Sequence, residues 1–161
     1  MCAINPADIS TAERPSPLVD RMLNLAGADL GQTVSVAGPA SLAALIALCR
    51  KGFDRVSCAR QATCCGADEA SDVLLISGPC SSQSLIDVLG RTSRLLKDGG
   101  VLVVHENDLD DDDLIRGALA GLGCATEWCV HDMADACLVA FKVTRNSCMP
   151  VLAQAVERLA A

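Results

Sequence analysis

Thiols are the first candidates for chemistry in this chain. Cys58, the vicinal pair Cys64 and Cys65, and Cys80 are four of its ten cysteines, and they lie close enough in sequence to meet at one edge of a fold. Thiolates bind soft metals and undergo thiol exchange, so this set defines a candidate redox or soft-metal sensor. Cys80 precedes a segment expected to be helical. A helix N-terminus favours the thiolate, which makes Cys80 the most reactive thiol expected. Against a metal role, adjacent cysteines ligate a single ion poorly and no Cys-x-x-Cys pair occurs. The bland reading is a set of small, reduced, hydrophobic residues, several of them inside apolar runs.

Three other groups have the right atom types. Cys129 and His131 fall on one face of an extended run, with Glu127 beside them and Cys137 shortly after, an arrangement zinc could use. His105 and Glu106 follow an apolar strand and could exchange protons with a substrate, although a polar pair facing solvent is the ordinary reading. Residues 108–113 form an acidic cluster. Hard cations favour such clusters, but Asp110 as a cap, Asp111 to Asp113 in the positive first turn of a helix, and a Leu109–Leu114 staple explain it locally.

Composition removes several ligand classes. The 161 residues carry 13 basic and 20 acidic side chains, a net charge of -7, and a field of that sign repels nucleic-acid phosphate and anionic membranes. With 2% aromatic residues and no tyrosine, little is present to stack a base or a flavin. A membrane helix needs roughly 20 consecutive apolar residues, and no such run occurs. A cytoplasmic protein of one domain, residues 1–161, is expected, with a core large enough to need no disulfide or metal staple.

The elements follow from periodicity. After an irregular segment at residues 1–16, Leu18, Val19, Met22, Leu23, Leu25 and Ala26 recur at helical spacing and Gly27 stops the helix. Residues 33–36 read as a strand that turns at Ala37-Gly38-Pro39-Ala40 into a helix over 41–51. Residues 55–59 read as the next strand. The connection from 60 to 71 is too short for a crossover helix together with a strand of its own. Residues 72–77 form a continuous apolar run, the mark of a strand covered on both faces, ended by Gly78-Pro79. Ser82 or Ser84 caps a helix carrying Leu85, Val88, Leu89, Leu95 and Leu96, and Asp98-Gly99-Gly100 stops it ahead of a strand at 101–104. A further helix ends near Gly123. Residues 124–130 and 137–143 then pair as an antiparallel hairpin, and an amphipathic helix at 149–161 closes the chain with Val151, Leu152, Ala155, Val156 and Leu159 on one face. The expected architecture is therefore α/β, a three-layer open and mostly parallel sheet with a C-terminal antiparallel hairpin.

Residues 18–27 followed by 31–38 resemble the first helix and strand of class I S-adenosylmethionine-dependent methyltransferases. Residues 72–76 are similar to that family's central fourth strand, and Leu95-Leu-Lys-Asp-Gly-Gly-Val101 resembles its Gly-Gly turn and fifth strand. The resemblance covers the core, about residues 17 to 143. It implies a cofactor pocket at the first turn, where the family has an acid on strand one and a Gly-rich loop. In register, this chain has Ser35 in place of the acid, and Ala37, Pro39 and Ser41 in place of glycines. Cys58-Ala59-Arg60 stands where the family has a ribose-binding acid. A thiol accepts hydrogen bonds too weakly to replace a carboxylate there. The short connection after Cys58 implies loss of the third strand and its helix.

Ser35, Ala37, Gly38, Ser41, Cys58 and Gly78 are thus candidates for a vestigial cofactor pocket. If strand order follows the family, Cys58 and Ile76 end strands on either side of the one ending at Ala37, about 10 Å apart. Cys58, Cys64, Cys65 and Cys80 could then converge on that crevice as weak metal candidates. The expected function is a non-catalytic methyltransferase-like domain acting in regulation or assembly through a protein partner or as a homodimer, with no cofactor. A divergent methyltransferase using S-adenosylmethionine and a thiol sensor are the alternatives.

Overall fold

Residues 72–77 do become the centre of a sheet. In the computed structural model, which describes residues 17–59, 70–78, 81–106, 112–131 and 136–143, the chain runs α1 (Pro17–Ala26), β1 (Val34–Ala37), α2 (Ser41–Arg50), β2 (Val56–Cys58), β3 (Ser71–Ile76), α3 (Ser82–Thr92), β4 (Leu96–Glu106), α4 (Asp112–Gly121), β5 (Cys124–His131) and β6 (Ala136–Lys142). The described strands form one six-stranded sheet in the order β2-β1-β3-β4-β6-β5. β2, β1, β3 and β4 are parallel, whereas β6 is antiparallel to both β4 and β5. The hairpin therefore returns inward, so that β6 is internal and β5 forms the edge.

Two apolar layers explain the burial pattern. Val34, Val36, Val73, Leu75, Val103, Cys137 and Val139 meet Val19, Met22 and Leu23 of α1 and Ala44 and Leu48 of α2. On the other face Leu74, Ile76, Leu102, Val104 and Leu138 meet Leu85 and Leu89 of α3 and Ile115 and Leu119 of α4. Strands that alternate between two covered faces read as uninterrupted hydrophobic runs, which is why β3 and the second half of β4 are legible in sequence. Each fully buried aliphatic side chain contributes about 1.5–3 kcal/mol.

Several boundaries differ from expectation. Ser81, rather than Ser82 or Ser84, caps α3: its Oγ accepts the Ser84 backbone N–H at 3.3 Å. The helix ends at Thr92, and a short 3-10 turn, Ser93–Leu95, leads into β4. Gly99-Gly100 lies within β4 instead of ahead of it. Leu96 already pairs with Ser71, and the register then slips before Val101 pairs with Val73, so the Lys97 to Gly100 stretch is a bulge. Asp72 holds that bulge. Its carboxylate accepts the Thr33 N–H at 2.8 Å and the Lys97 ammonium at 2.9 Å, joining β1, β3 and β4 at their amino edge.

On the β2 side only twelve residues separate Cys58 from Ser71, and β2 is the terminal strand among the described residues. The expected helix at 149–161, the irregular segment at 1–16, and the Asp110 cap and Leu109 staple lie outside the described residues. No described helix is long and apolar enough to cross a membrane.

Candidate functional site

The carboxyl ends of β1 and β3 adjoin at the point where the chain departs in opposite directions, to β2 on one side and to β4 on the other. In open α/β sheets, ligands bind at such a switch point. Here the seam is lined by backbone. Gly38 and Gly78 both have positive φ, +93° and +104°. A Cβ on Gly38 would stand 2.6 Å from the Ser77 carbonyl oxygen, and one on Gly78 would stand 2.8 Å from the Ala40 nitrogen. Only glycine permits this approach.

Hydrogen bonds close the same seam. Ser77 N–H donates to Ala37 O at 3.0 Å, Ala40 N–H returns to Ser77 O at 3.0 Å, and Ser41 N–H donates to Gly38 O at 3.2 Å as α2 begins. The loop after β1 is thereby sewn to the end of β3. Ala37, Ser41 and Ser77 are buried, and the Ser77 hydroxyl has no hydrogen-bond partner among the described residues.

Ser35 sits within the sheet. It is 1% exposed and shares hydrogen bonds with Ser57 Oγ at 2.7 Å and with Ser71 Oγ, which is itself fully buried. The three hydroxyls span β2, β1 and β3. Ser35 and Ser57 alternate with residues of the α1/α2 layer, which puts them on the α3/α4 face. Ser57 and Ser71 were not singled out from sequence, because finding them requires the register that sets Ser35 beside Ser57. The one available signal was a serine between two valines.

Cys58 is not turned toward the crevice as expected. It pairs with Val36 and packs with Val56 against the apolar layer beneath α1 and α2. An odd-even count along β2 decides this, since Ser57 and Ala59 take the opposite face. Cys64, Cys65 and Cys80 lie outside the described residues. His105 is likewise not a solvent-facing group: it is 6% exposed and in register with buried Cys137. Glu106 ends β4 opposite Ala136. Cys129 and His131 lie on edge strand β5, opposite Leu138 and Ala136. Among the described residues no three His, Cys, Asp or Glu side chains gather in a metal-binding group.

Among the described residues two groups have perturbed protonation. The Lys97 hydrogen bond, helped by the Thr33 N–H, holds the Asp72 carboxyl below its ordinary value. Burial pushes the Cys124 thiol up, opposed by the Lys142 charge. Both belong to the amino edge of the sheet, opposite the crevice.

No family model matches the sequence, and no curated protein matches it. Solved structures do. A ribosomal protein L11 methylase from Lactobacillus delbrueckii subsp. bulgaricus is similar with a TM-score of 0.59 at 13% identity, over 79% of this chain and 78% of that one. An RNA methyltransferase from Salinibacter ruber in complex with S-adenosyl-L-homocysteine gives 0.51 at 16% identity, over 86% of this chain and 96% of that one. An S-adenosylmethionine-dependent O-methyltransferase from Thermotoga maritima gives 0.56 at 12% identity, over 91% and 68%. The chain therefore has the class I methyltransferase-like, Rossmann-like fold in a shortened form.

The described residues place no carboxylate at the two positions where the resemblance implies one. At the second residue of β1 the position expected to hold an acid is Ser35, committed to its neighbours in the sheet, and at the end of β2 Cys58 and Ala59 supply no carboxylate for ribose hydroxyls.

Proposed function

We propose that this protein is a methyltransferase-like scaffold that does not hold S-adenosylmethionine productively and works in regulation or assembly through protein contacts. The observation supporting this reading is the sewn seam, in which the Ala40 to Ser77 hydrogen bond and the backbone approaches at Gly38 and Gly78 occupy the switch point. A ligand seated there would have to separate backbone groups that already satisfy one another, at a cost of about 1 kcal/mol or more per bond. Methyl transfer depends mainly on positioning, so a cofactor whose ribose hydroxyls meet no protein carboxylate would be poorly held.

Calorimetric titration with S-adenosylmethionine and with S-adenosyl-L-homocysteine tests the proposal. No heat and no thermal shift at millimolar ligand are expected. Saturable binding in the micromolar range would establish the second reading, a divergent methyltransferase, for which the Salinibacter ruber complex is the supporting precedent.

A further inference from the structure

The amino edge of the sheet carries a cavity of its own. It opens between the 3-10 turn that follows α3 and the end of α4, beside the end of β6, has a volume of about 520 Å³, and is lined entirely by described residues. Concavities of roughly 300–1,000 Å³ are the size that small molecules occupy. Lys142 is the half-buried cation of this lining. Leu138 and Ala140 belong to the α3/α4 layer, so the alternation of β6 puts Lys142 on that face too. Its ammonium donates to Ser93 O at 3.0 Å and to Leu96 O at 2.5 Å. An ammonium has three N–H donors, and the third has no partner among the described residues.

Counter-charge is missing as well. The described ion pairs of lysine join Lys51 to Asp20 and Lys97 to Asp72, and none involves Lys142. Its register partner is Cys124, whose thiol is kept neutral by burial and supplies no negative charge. A half-buried ammonium with a donor to spare suits an anionic oxygen. The rest of the lining limits the size of that negative charge. Arg94 adds a second cation and Asp98 a carboxylate, so the side chains sum to one positive charge. The carbonyls of Gly121 and Leu122 at the end of α4 accept no hydrogen bond from the described residues, and this negative end of a helix opposes a dianion further. Leu122 and Val143, the latter 42% exposed, supply apolar surface for a short hydrocarbon body.

We propose that this cavity binds a small organic monocarboxylate, with the carboxylate on the Lys142 ammonium and the hydrocarbon end against Leu122 and Val143. Lys142 already ties the end of β6 to the 3-10 turn, so an occupied site would brace β6, that turn and the end of α4 together. The cavity and the switch point lie at opposite edges of the sheet, because β6 runs antiparallel to β4 and ends where the parallel strands begin. The site therefore stands apart from the seam at Gly38 and Gly78.

Isovalerate is the probe, titrated into the isotopically labelled full chain at neutral pH and followed by amide shifts. Saturable shifts in the millimolar range are expected at residues 93–98, 120–123 and 142–143. Isovaleramide, its neutral isostere, and inorganic phosphate should each bind at least tenfold more weakly. Lys142→Gln should weaken isovalerate at least tenfold, with amide exchange of β3 showing that the variant is folded. Asp98→Asn should tighten it at least twofold, and because the Asp98 carboxylate has no partner among the described residues, this change tests charge without removing a contact. Absence of saturable shifts, equal binding of isovaleramide or phosphate, weaker binding in Asp98→Asn, or shifts centred on residues 38–41 and 77–78 would overturn the proposal. S-adenosylmethionine at the switch point would move that second set of amides, so the two outcomes are read separately.

Discussion

The backbone N–H of Ala40 donates to the carbonyl of Ser77 at 3.0 Å, and the next residue, Gly78, lies so close that a Cβ on it would stand 2.8 Å from the Ala40 nitrogen. A loop and a strand end that would flank a ligand in an open α/β sheet are thus bonded to each other. Two positive-φ glycines, Gly38 and Gly78, allow this close approach of backbone.

Gly38→Ala and Gly78→Ala should each destabilise the fold by about 2–4 kcal/mol, because both combine positive-φ strain with a methyl group inside 3 Å of backbone. Gly117→Ala is the control. It lies within α4 with open space around it, and should stabilise by roughly 0.5–1 kcal/mol. Urea unfolding of the three variants checks the contrast.

Asp72 should make stability depend on acid. Its folded-state carboxyl is held below its unfolded value by Lys97 and Thr33, so the contribution is fully present above the unfolded value of about 4 and disappears as pH falls through the folded value. The side chain is 33% exposed, so solvent screening limits the loss in Asp72→Asn to about 1 kcal/mol at neutral pH. Unfolding midpoints of wild type and variant should converge below pH 4.

Replacing Ser35 with Ala removes the middle hydroxyl of the Ser57, Ser35 and Ser71 chain. The expected cost is about 1–3 kcal/mol, most of it from stranding fully buried Ser71. The double variant Ser35→Ala/Ser71→Ala should lose less than the sum of its parts, as a thermodynamic cycle by chemical denaturation would show.

Cys124 should resist alkylation in the native state. Burial disfavours its thiolate, and the thiolate is the nucleophile. Labelling at pH 8 should leave Cys124 and fully buried Cys137 intact until denaturant is added, a result readable by mass spectrometry.

The layered fold was legible because its driving pattern is local. Unbroken apolar runs at β3 and β4 require cover on both faces, and the 3.6-residue periodicity of α1, α3 and α4 supplies that cover. The loss of ordinary crossover length after Cys58 was visible by counting alone. The bulge at Gly99-Gly100 was not, since a glycine pair reads equally as a helix stop or as an irregularity inside a strand.

At the candidate site, composition determined which groups were available, and it was already apparent that serine and cysteine stand where the resembled family has carboxylates. Tertiary structure decided where those groups point. A strand alternates faces at every residue, so a count offset by one moves Cys58 from the crevice to the α2 core, and strand register alone sets Ser35 beside Ser57. The direct bond between Ala40 and Ser77 joins residues 37 positions apart, and no local preference encodes such a contact; it exists because β1 and β3 lie side by side.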